Sequence, residues 1–239
     1  MYLNNKNILV FLFAMSSLVL FSQDLTSDLE NISKRLEKSN ETQLVTEVKT
    51  YTKRGGTLIY NTKAELYRKG DSTATTLGDI QFLEVGKYHI RIDEEEKAIL
   101  IHDKSQNTSD NQEISFSKKD LKSIKETLEA LQNQQNSSGK IKYALVQDKN
   151  EIRTYSSTNT PGLKEVRIKI NHKKNTLVSI TYEYGNDEEE GNFVEINYST
   201  FSYSIGNEKV FDLEQIFTIS GGKYKLSPKY QHYHLYTEL

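Results

Sequence analysis

The apolar positions of the chain follow two periods, and each period predicts one kind of element. Leu25, Leu29, Ile32 and Leu36 recur at steps of four, three and four residues, which predicts a helix that ends at Asn40. Beyond it the pattern alternates at every second position and is rich in β-branched and aromatic residues, which predicts strands. The predicted strands cover 44–51, 56–68, 78–85, 87–93, 97–102, 140–147, 151–155, 163–170, 176–185, 193–204 and 229–238, with a turn or short helix at 211–217.

The breaks between these strands carry residues that favour tight turns. Glycines at positions 55, 56, 70 and 86 and the charged run 94–96 separate successive strands in the first half. Such spacing is typical of a meander, in which each strand pairs with its neighbour in sequence. Residues 90–101 and 168–179 share one pattern of apolar strand, hydrophilic tip and apolar strand, which predicts two similar antiparallel hairpins.

A second helix is predicted in the middle of the chain. Residues 117–120 resemble a capping box, and apolar residues follow at helical spacing, namely Leu121, Ile124, Leu128 and Leu131. The polar stretch 132–139 then indicates a flexible connection. Because no stretch has the composition of a domain linker, we expect one domain over residues 24–239.

The first 23 residues indicate an export signal. Lys6 supplies the positive charge, residues 8–21 form an apolar run, and the polar mature chain begins at Asp24. The alternative is a membrane anchor, but the run is shorter than the roughly 20 residues that a spanning helix needs. We therefore expect a protein exported to the bacterial periplasm, with no transmembrane segment in the mature chain.

Composition and motifs narrow the classes of function. The balance of 31 Lys+Arg against 33 Asp+Glu argues against nucleic acid as a partner, because neutralising phosphates requires a concentrated cationic surface. The absence of cysteine excludes disulfides, thiolate metal sites and a cysteine nucleophile. Nucleophile-elbow, P-loop and dinucleotide-binding motifs are also absent. We expect no cofactor and no enzyme activity. A hydrolase with a dispersed site is a third hypothesis, beside the binding protein and the interaction module described below.

Two features could bind metal ions. His232 and His234 lie on one side of the last predicted strand, where they either hold a metal ion or belong to a ladder with the tyrosines of that strand. With no carboxylate near them in sequence, we favour the ladder and expect no metal site. The acidic tips 93–96 and 187–190 lack the alternating oxygen ligands of a calcium loop, which favours solvated hairpin tips.

The apolar strand faces stand out in a chain that is only 36% hydrophobic. An antiparallel sheet of about ten strands must curl to bury such faces, and two helices are too few to fill a wide concave surface. The result is either a solid core or an incompletely filled apolar cavity that accepts acyl chains. The candidate ligand-binding residues are Leu58, Tyr60, Leu66, Ile90, Ile92, Ile99, Ile101, Leu121, Ile124, Leu128, Val166 and Ile168.

Residues 58–101 and 166–203, with the closing run from Phe211 through Phe217 to Tyr230, resemble the LolA-like family of periplasmic lipoprotein carriers, especially its divergent Bacteroidetes members. The resemblance implies a mostly β (α+β) fold, in which one curved antiparallel sheet forms an unclosed half-barrel. It also implies that the N-terminal and mid-chain helices cover the concave face.

The same resemblance implies a non-catalytic protein whose partner is the acyl chain of a lipid or lipoprotein. The alternative is an envelope protein–protein interaction or scaffold module without a lipid ligand. Such a module would use the exposed strand edges, the tyrosines and the acidic tips, because tyrosine rings make good contact surfaces.

Overall fold

The structure is a computed structural model that describes residues 25–105, 142–160, 162–185 and 191–238. Residues 25–38 form helix α1, as the periodicity predicted. The strands are β1 (Glu41–Tyr51), β2 (Leu58–Lys69), β3 (Ser72–Leu77), β4 (Ile80–Val85), β5 (Tyr88–Asp93), β6 (Ala98–Asp103), β7 (Ala144–Lys149), β8 (Ile152–Ser157), β9 (Leu163–Asn171), β10 (Thr176–Tyr184), β11 (Phe193–Ser202), β12 (Phe217–Ser220), β13 (Lys223–Leu226) and β14 (His234–Glu238). Three short 3-10 helices are η1 (Glu208–Phe211), η2 (Leu213–Gln215) and η3 (Pro228–Tyr230).

Four predicted segments lie outside the described residues. These are the export signal at 1–23, the mid-chain helix at 117–131, the polar connection at 132–139 and the acidic tip at 187–190. Within the described ranges, no helix has both the length and the apolar character needed to cross a membrane.

Twelve of the strands form one sheet in the order β14-β6-β5-β4-β3-β2-β1-β11-β10-β9-β8-β7. The sheet is open, because β14 and β7 are its two edges. Strands β2 to β6 and β7 to β11 each pair with their neighbours in sequence, as the turn spacing predicted, whereas β14 runs parallel to β6. The predicted fold class, a mostly β chain with an antiparallel sheet that does not close, is confirmed.

The described chain forms two compact units. The first unit comprises residues 25–37, residues 49–60 and the described residues between 142 and 197. The second unit comprises residues 38–48, 61–105 and 198–238. Strands β1, β2 and β11 contribute residues to both units. The single domain expected over residues 24–239 stays a prediction.

In the first unit, α1 lies against one face of strands β8 to β10. Register places Tyr155 opposite Ile168, and Ile168 opposite Ile180, and all three are buried. Asp28 of α1 accepts hydrogen bonds from the Tyr155 hydroxyl at 2.7 Å and from Arg153 Nη1 at 3.1 Å. Because Tyr155 shares a face with the isoleucines, these bonds hold the helix on that apolar face. The buried apolar residues of the helix are Leu25, Leu29 and Ile32.

The opposite face of these strands carries a network of ion pairs. Glu165 lies 2.6 Å from Arg54 and 2.6 Å from Arg167, and Arg54 also lies 2.6 Å from Glu183. Burial raises the pKa of Glu165, but hydrogen bonds from Arg167, Ser156 and Arg54 outweigh it and lower the pKa to about 2. This carboxylate therefore stays charged over the physiological pH range.

The two hairpins that share a sequence pattern also share a turn. Asp93 and Asn171 each end a strand, and each side-chain oxygen accepts a backbone N–H three residues further on, at 3.0 and 2.9 Å. The last residue of each turn, Lys97 or Asn175, has a left-handed φ of 50° or 51°. Side chains of this type stabilise turns by replacing a backbone hydrogen bond. The prediction of two similar antiparallel hairpins is confirmed.

In the second unit, residues 205–233 cover one face of the meander β2 to β6, and we call them the C-terminal segment. This segment contains η1, η2, the β12–β13 hairpin and η3. Its residues Ile216, Phe217 and Tyr230 are buried in one cluster with apolar residues of β3 to β6. The cluster is the core of this unit.

The structure differs from the sequence predictions at three places in the chain. The turn or helix expected at 211–217 is η1 and η2 followed by β12, and β12 and β13 were not predicted as strands. The last strand begins at His234 rather than at 229, because Pro228 opens a 3-10 turn that turns Tyr230 into the core. Strand β3 was also missed, since its sequence STATTL has too little contrast between its two faces.

We expect Asp28→Ala to lower the free energy of unfolding by about 3 kcal/mol, because it removes the carboxylate that accepts from the buried Tyr155 hydroxyl and one of the two carboxylates that pair with Arg153. Tyr155→Phe removes one hydrogen bond to a charged group and is expected to lower it by about 1.5 kcal/mol. Urea unfolding followed by circular dichroism measures both. The control is Glu30→Ala on the same helix, where the ion pair with Lys34 is exposed and the expected change is under about 0.5 kcal/mol. Equal effects of Asp28→Ala and Glu30→Ala would contradict the assignment.

A second prediction concerns acid stability. Buried Asp103 lies 2.7 Å from Lys87 and accepts a hydrogen bond from the Ser105 hydroxyl at 2.6 Å, and these contacts lower its pKa from 3.8 to about 2. A carboxylate with a depressed folded-state pKa stabilises the fold above its unfolded pKa, and this stability is lost as pH falls from about 4 to 2.

Asp103→Asn is therefore expected to be less stable at pH 7 and to lose less stability between pH 4 and pH 2 than the unchanged protein. Thermal unfolding across this pH range measures the difference. Glu95→Gln, at an exposed hairpin tip, is the control and should follow the unchanged protein. The same acid profile for both variants would show that Asp103 does not contribute.

Candidate ligand-binding groove

The register of β2 to β6 sorts their side chains onto two faces, since directly opposed residues of an antiparallel pair share a face. We call one of them the core face. A row across it consists of Tyr67, Ala74, Leu83, Ile90 and Ile101. The neighbouring row on the other face consists of Leu66, Thr75, Phe82, Arg91 and Leu100.

Four of the predicted ligand-binding residues meet on the core face, namely Ile90, Ile92, Ile99 and Ile101. Each is at most 3% exposed, and they pack with Ile216, Phe217 and Tyr230 of the C-terminal segment. The chain itself therefore covers these isoleucines, and a role for them in ligand binding stays a prediction.

The other predicted residues lie in different surroundings. Leu66 is buried on the face opposite the isoleucines, and Val166 and Ile168 are buried in the first unit. Leu58 and Tyr60 are exposed, at 45% and 56%. Three residues lie outside the described part of the chain, namely Leu121, Ile124 and Leu128. The structure thus brings together the residues of β5 and β6 and separates them from the rest.

A groove of about 210 Å³ opens on the core face between strands β2 to β4 and the C-terminal segment. It shares Ala74, Leu83, Ile216 and Tyr230 with the core cluster, so its floor is apolar. Charged residues of both walls line it, namely Glu65, Lys209, Asp212 and Lys229. The groove is smaller than the several hundred cubic ångströms of typical ligand sites, so it fits a part of a long ligand.

Both carboxylates of the groove are already engaged by other groups. Glu65 lies 2.6 Å from Lys63, whose hydrogen bond lowers the pKa of Glu65, and it accepts a hydrogen bond from the Tyr67 hydroxyl at 2.8 Å. Burial and the bond to Glu65 raise the pKa of Tyr67 to about 12. Asp212 accepts from the backbone N–H of Glu214 at 3.1 Å and caps η2. Neither acid therefore needs a cationic ligand.

The two lysines of the groove differ from its two carboxylates in the partners that they contact. Burial lowers the pKa of Lys229, but a 2.6 Å hydrogen bond to the Tyr230 hydroxyl and nearby negative charge raise it, so that the net shift is upward. Among the residues that the structure describes, neither Lys209 nor Lys229 forms an ion pair with a carboxylate. The groove thus offers positive charge beside an apolar floor, an arrangement that suits an amphiphile with an acidic head.

Sequence analysis missed the residues of this groove that come from the C-terminal segment. The available signal was the density of apolar residues at 210–217, where no strand or helix period could place them. Because this segment has no regular hydrophobic period, its sequence does not show which of its residues lie against the sheet.

The histidines lie in different surroundings. His89 lies 3.2 Å from Glu84, and its ring centroid lies 6.0 Å from that of His102, on the face opposite the core. His232 and His234 are both exposed. The described ranges contain no group of three histidine or acidic side chains arranged to hold a metal ion.

No protein-family model matches this chain, and no curated protein matches it significantly. Solved structures match most of it. An uncharacterized conserved protein from Thermus thermophilus is 8% identical, with 89% of this chain and 98% of that chain covered and a TM-score of 0.39. A LolA superfamily protein from Nitrosomonas europaea is 12% identical, with 80% and 97% covered and a TM-score of 0.27.

A third match is a putative outer membrane lipoprotein-sorting protein domain from Vibrio parahaemolyticus. It is 10% identical, with 78% of this chain and 96% of that chain covered and a TM-score of 0.27. The structural neighbours thus include a LolA superfamily protein and an outer membrane lipoprotein-sorting domain.

The packing of the four isoleucines that were predicted to bind a ligand can be tested by truncation of a side chain. We expect Ile92→Ala to lower the free energy of unfolding by about 3 kcal/mol, because its fully buried side chain leaves a cavity. Leu100→Ala, on the opposite and less buried face, should cost about half as much. Urea unfolding measures both. If Ile92→Ala left stability unchanged, Ile92 would line an open space instead of a packed core.

Proposed function

We propose that this protein is a non-catalytic binding protein of the bacterial periplasm that holds part of an amphiphile, the acyl chain of a lipid or lipoprotein with an acidic head group. The supporting observation is the groove of the second unit, where an apolar floor lies beside Lys209 and Lys229. Export follows from the predicted signal at 1–23, and the carrier class follows from the sequence resemblance of residues 58–101 and 166–203.

The size of the groove implies weak, reversible binding. Burial of a methylene contributes about 0.8 kcal/mol, so six methylenes contribute about 5 kcal/mol, which corresponds to a Kd of roughly 0.2 mM before the charges are counted. Neutralisation of an acidic head group by the lysines strengthens this binding, although exposed lysines add only modestly to the free energy of binding. A weakly held load suits a protein that must release it to an acceptor.

The test is calorimetric titration with decanoate, decanol and acetate. We expect decanoate to bind most tightly, decanol more weakly and acetate not at all, because both the chain and the charge are needed. The double variant Lys209→Gln/Lys229→Gln should weaken decanoate about tenfold and leave decanol unchanged. Ala74→Phe, which fills the groove from its floor, should weaken both.

The matched control is Lys149→Gln, which removes an exposed lysine from the edge strand β7. It should leave the affinity for decanoate unchanged. Failure of decanoate to bind, or binding that Ala74→Phe does not weaken, would exclude this groove as the site.

One observation favours a second candidate function, an envelope protein–protein interaction or scaffold module. Leu58, Ile59 and Tyr60 are consecutive and 45–56% exposed at the start of β2, and exposed apolar patches of this kind often contact partners. Capture of a stoichiometric protein partner from envelope extract, lost in Tyr60→Ser, would favour this module. Native mass spectrometry that finds no lipid on the protein would agree with it.

A further inference from the structure

The β12–β13 hairpin in the C-terminal segment has one apolar and one polar face. Its register places Phe217, Ile219, Tyr224 and Leu226 on one face, and Thr218, Ser220, Lys223 and Lys225 on the other. Gly221 and Gly222 form the turn with φ of 59° and 75°, a two-residue turn that needs left-handed residues at both positions. The hairpin is thus a short, well-defined finger.

The base of this finger is held firmly. The ring of Phe217 contacts Tyr88 of β5 and Tyr224 edge to face, with centroids 5.4 and 5.2 Å apart. Ser227 closes the base, because its N–H donates to the Ile216 carbonyl at 2.8 Å and its hydroxyl donates to the Gln215 carbonyl at 2.6 Å. The base is therefore part of the core of the second unit.

The tip of the finger is different, because residues 218–223 are all exposed. Ile219 is 53% exposed, although it lies on the same face as buried Phe217. An aliphatic side chain thus extends beyond the core to which its own face belongs.

All charged residues of this hairpin are lysines. Residues 217–226 contain two lysines and no acidic residue. Lys223 and Lys225 are exposed, and neither forms an ion pair within the described part of the chain. A hairpin with an exposed aliphatic side chain at its tip and two exposed lysines has the chemistry of a peripheral membrane contact.

We propose that the β12–β13 hairpin contacts an anionic phospholipid surface. Ile219 enters the interface, while Lys223 and Lys225 lie among the head groups. A lipid surface fits better than an acidic protein, because the exposed tip offers an aliphatic side chain beside its lysines, and an aliphatic side chain can enter the acyl boundary of a membrane. This inference rests on the hairpin alone and holds whether or not the groove binds an acyl chain.

The chain contains no tryptophan, so Ile219→Trp introduces a single fluorophore at the tip. With vesicles of phosphatidylcholine and phosphatidylglycerol in equal parts, we expect its emission to shift to the blue and to resist an aqueous quencher. Vesicles of phosphatidylcholine alone should produce neither change. Absence of the shift with the anionic vesicles would overturn the proposal.

The matched control is Lys173→Trp at the tip of the β9–β10 hairpin. That tip also carries exposed lysines, Lys173 and Lys174, but no apolar residue. We expect no shift for this variant with either vesicle. An equal shift at both positions would show non-specific adsorption and would also overturn the proposal.

Co-sedimentation with the anionic vesicles tests the cations separately. Each lysine near an anionic surface contributes about a fivefold gain in partitioning, so Lys223→Gln/Lys225→Gln should bind about 25-fold less. Lys173→Gln/Lys174→Gln should bind like the unchanged protein. If the unchanged protein did not sediment with the vesicles but captured an acidic protein that the Lys223/Lys225 variant lost, the partner would be a protein and the lipid proposal would be wrong.

Discussion

An open sheet must have its apolar faces covered by something other than itself, and this constraint governs both units. In the first unit α1 covers one face of β8 to β10, and Asp28 attaches the helix through the Tyr155 hydroxyl and Arg153. This attachment buries the charge of Asp28, which is tolerated because the carboxylate is paired and hydrogen-bonded. In the second unit the cover is the C-terminal segment, which has little regular structure and packs through Ile216, Phe217 and Tyr230.

The irregular cover of the second unit creates the features from which function is inferred. A helix with a uniform apolar stripe fills a sheet face evenly, whereas 3-10 turns and a hairpin leave a gap beside the buried cluster. That gap is the groove, and its charged wall comes from Lys209 and Lys229. The same segment projects the β12–β13 hairpin from a base held by Phe217 and Ser227. Residues 205–233 therefore cover a core, form one wall of the groove and carry the exposed β12–β13 hairpin.

Local chemistry explains which parts of the fold were predictable from sequence. The turns after Asp93 and Asn171 were found because each is stabilised within a few residues by its own side chain. Alternation also identified buried residues such as Leu66 and Ile90, but it could not show that they lie on opposite faces, because that depends on register across four strands. For the same reason the predicted site combined residues that the structure separates. The groove escaped prediction because half of it comes from a segment without a period.

The parallel pairing of β14 with β6 has a consequence for how the molecule is made. Lys97, beside β6, donates to the Tyr233 hydroxyl across 136 positions of sequence, and much of the first unit lies between them in the chain. Contacts so distant in sequence form slowly, because a long loop must close before they contribute. The strands that come early in the second unit keep an exposed apolar face until residues 205–233 are available to cover it. The second unit therefore cannot complete its core before the residues that follow the first unit in the chain have been synthesised.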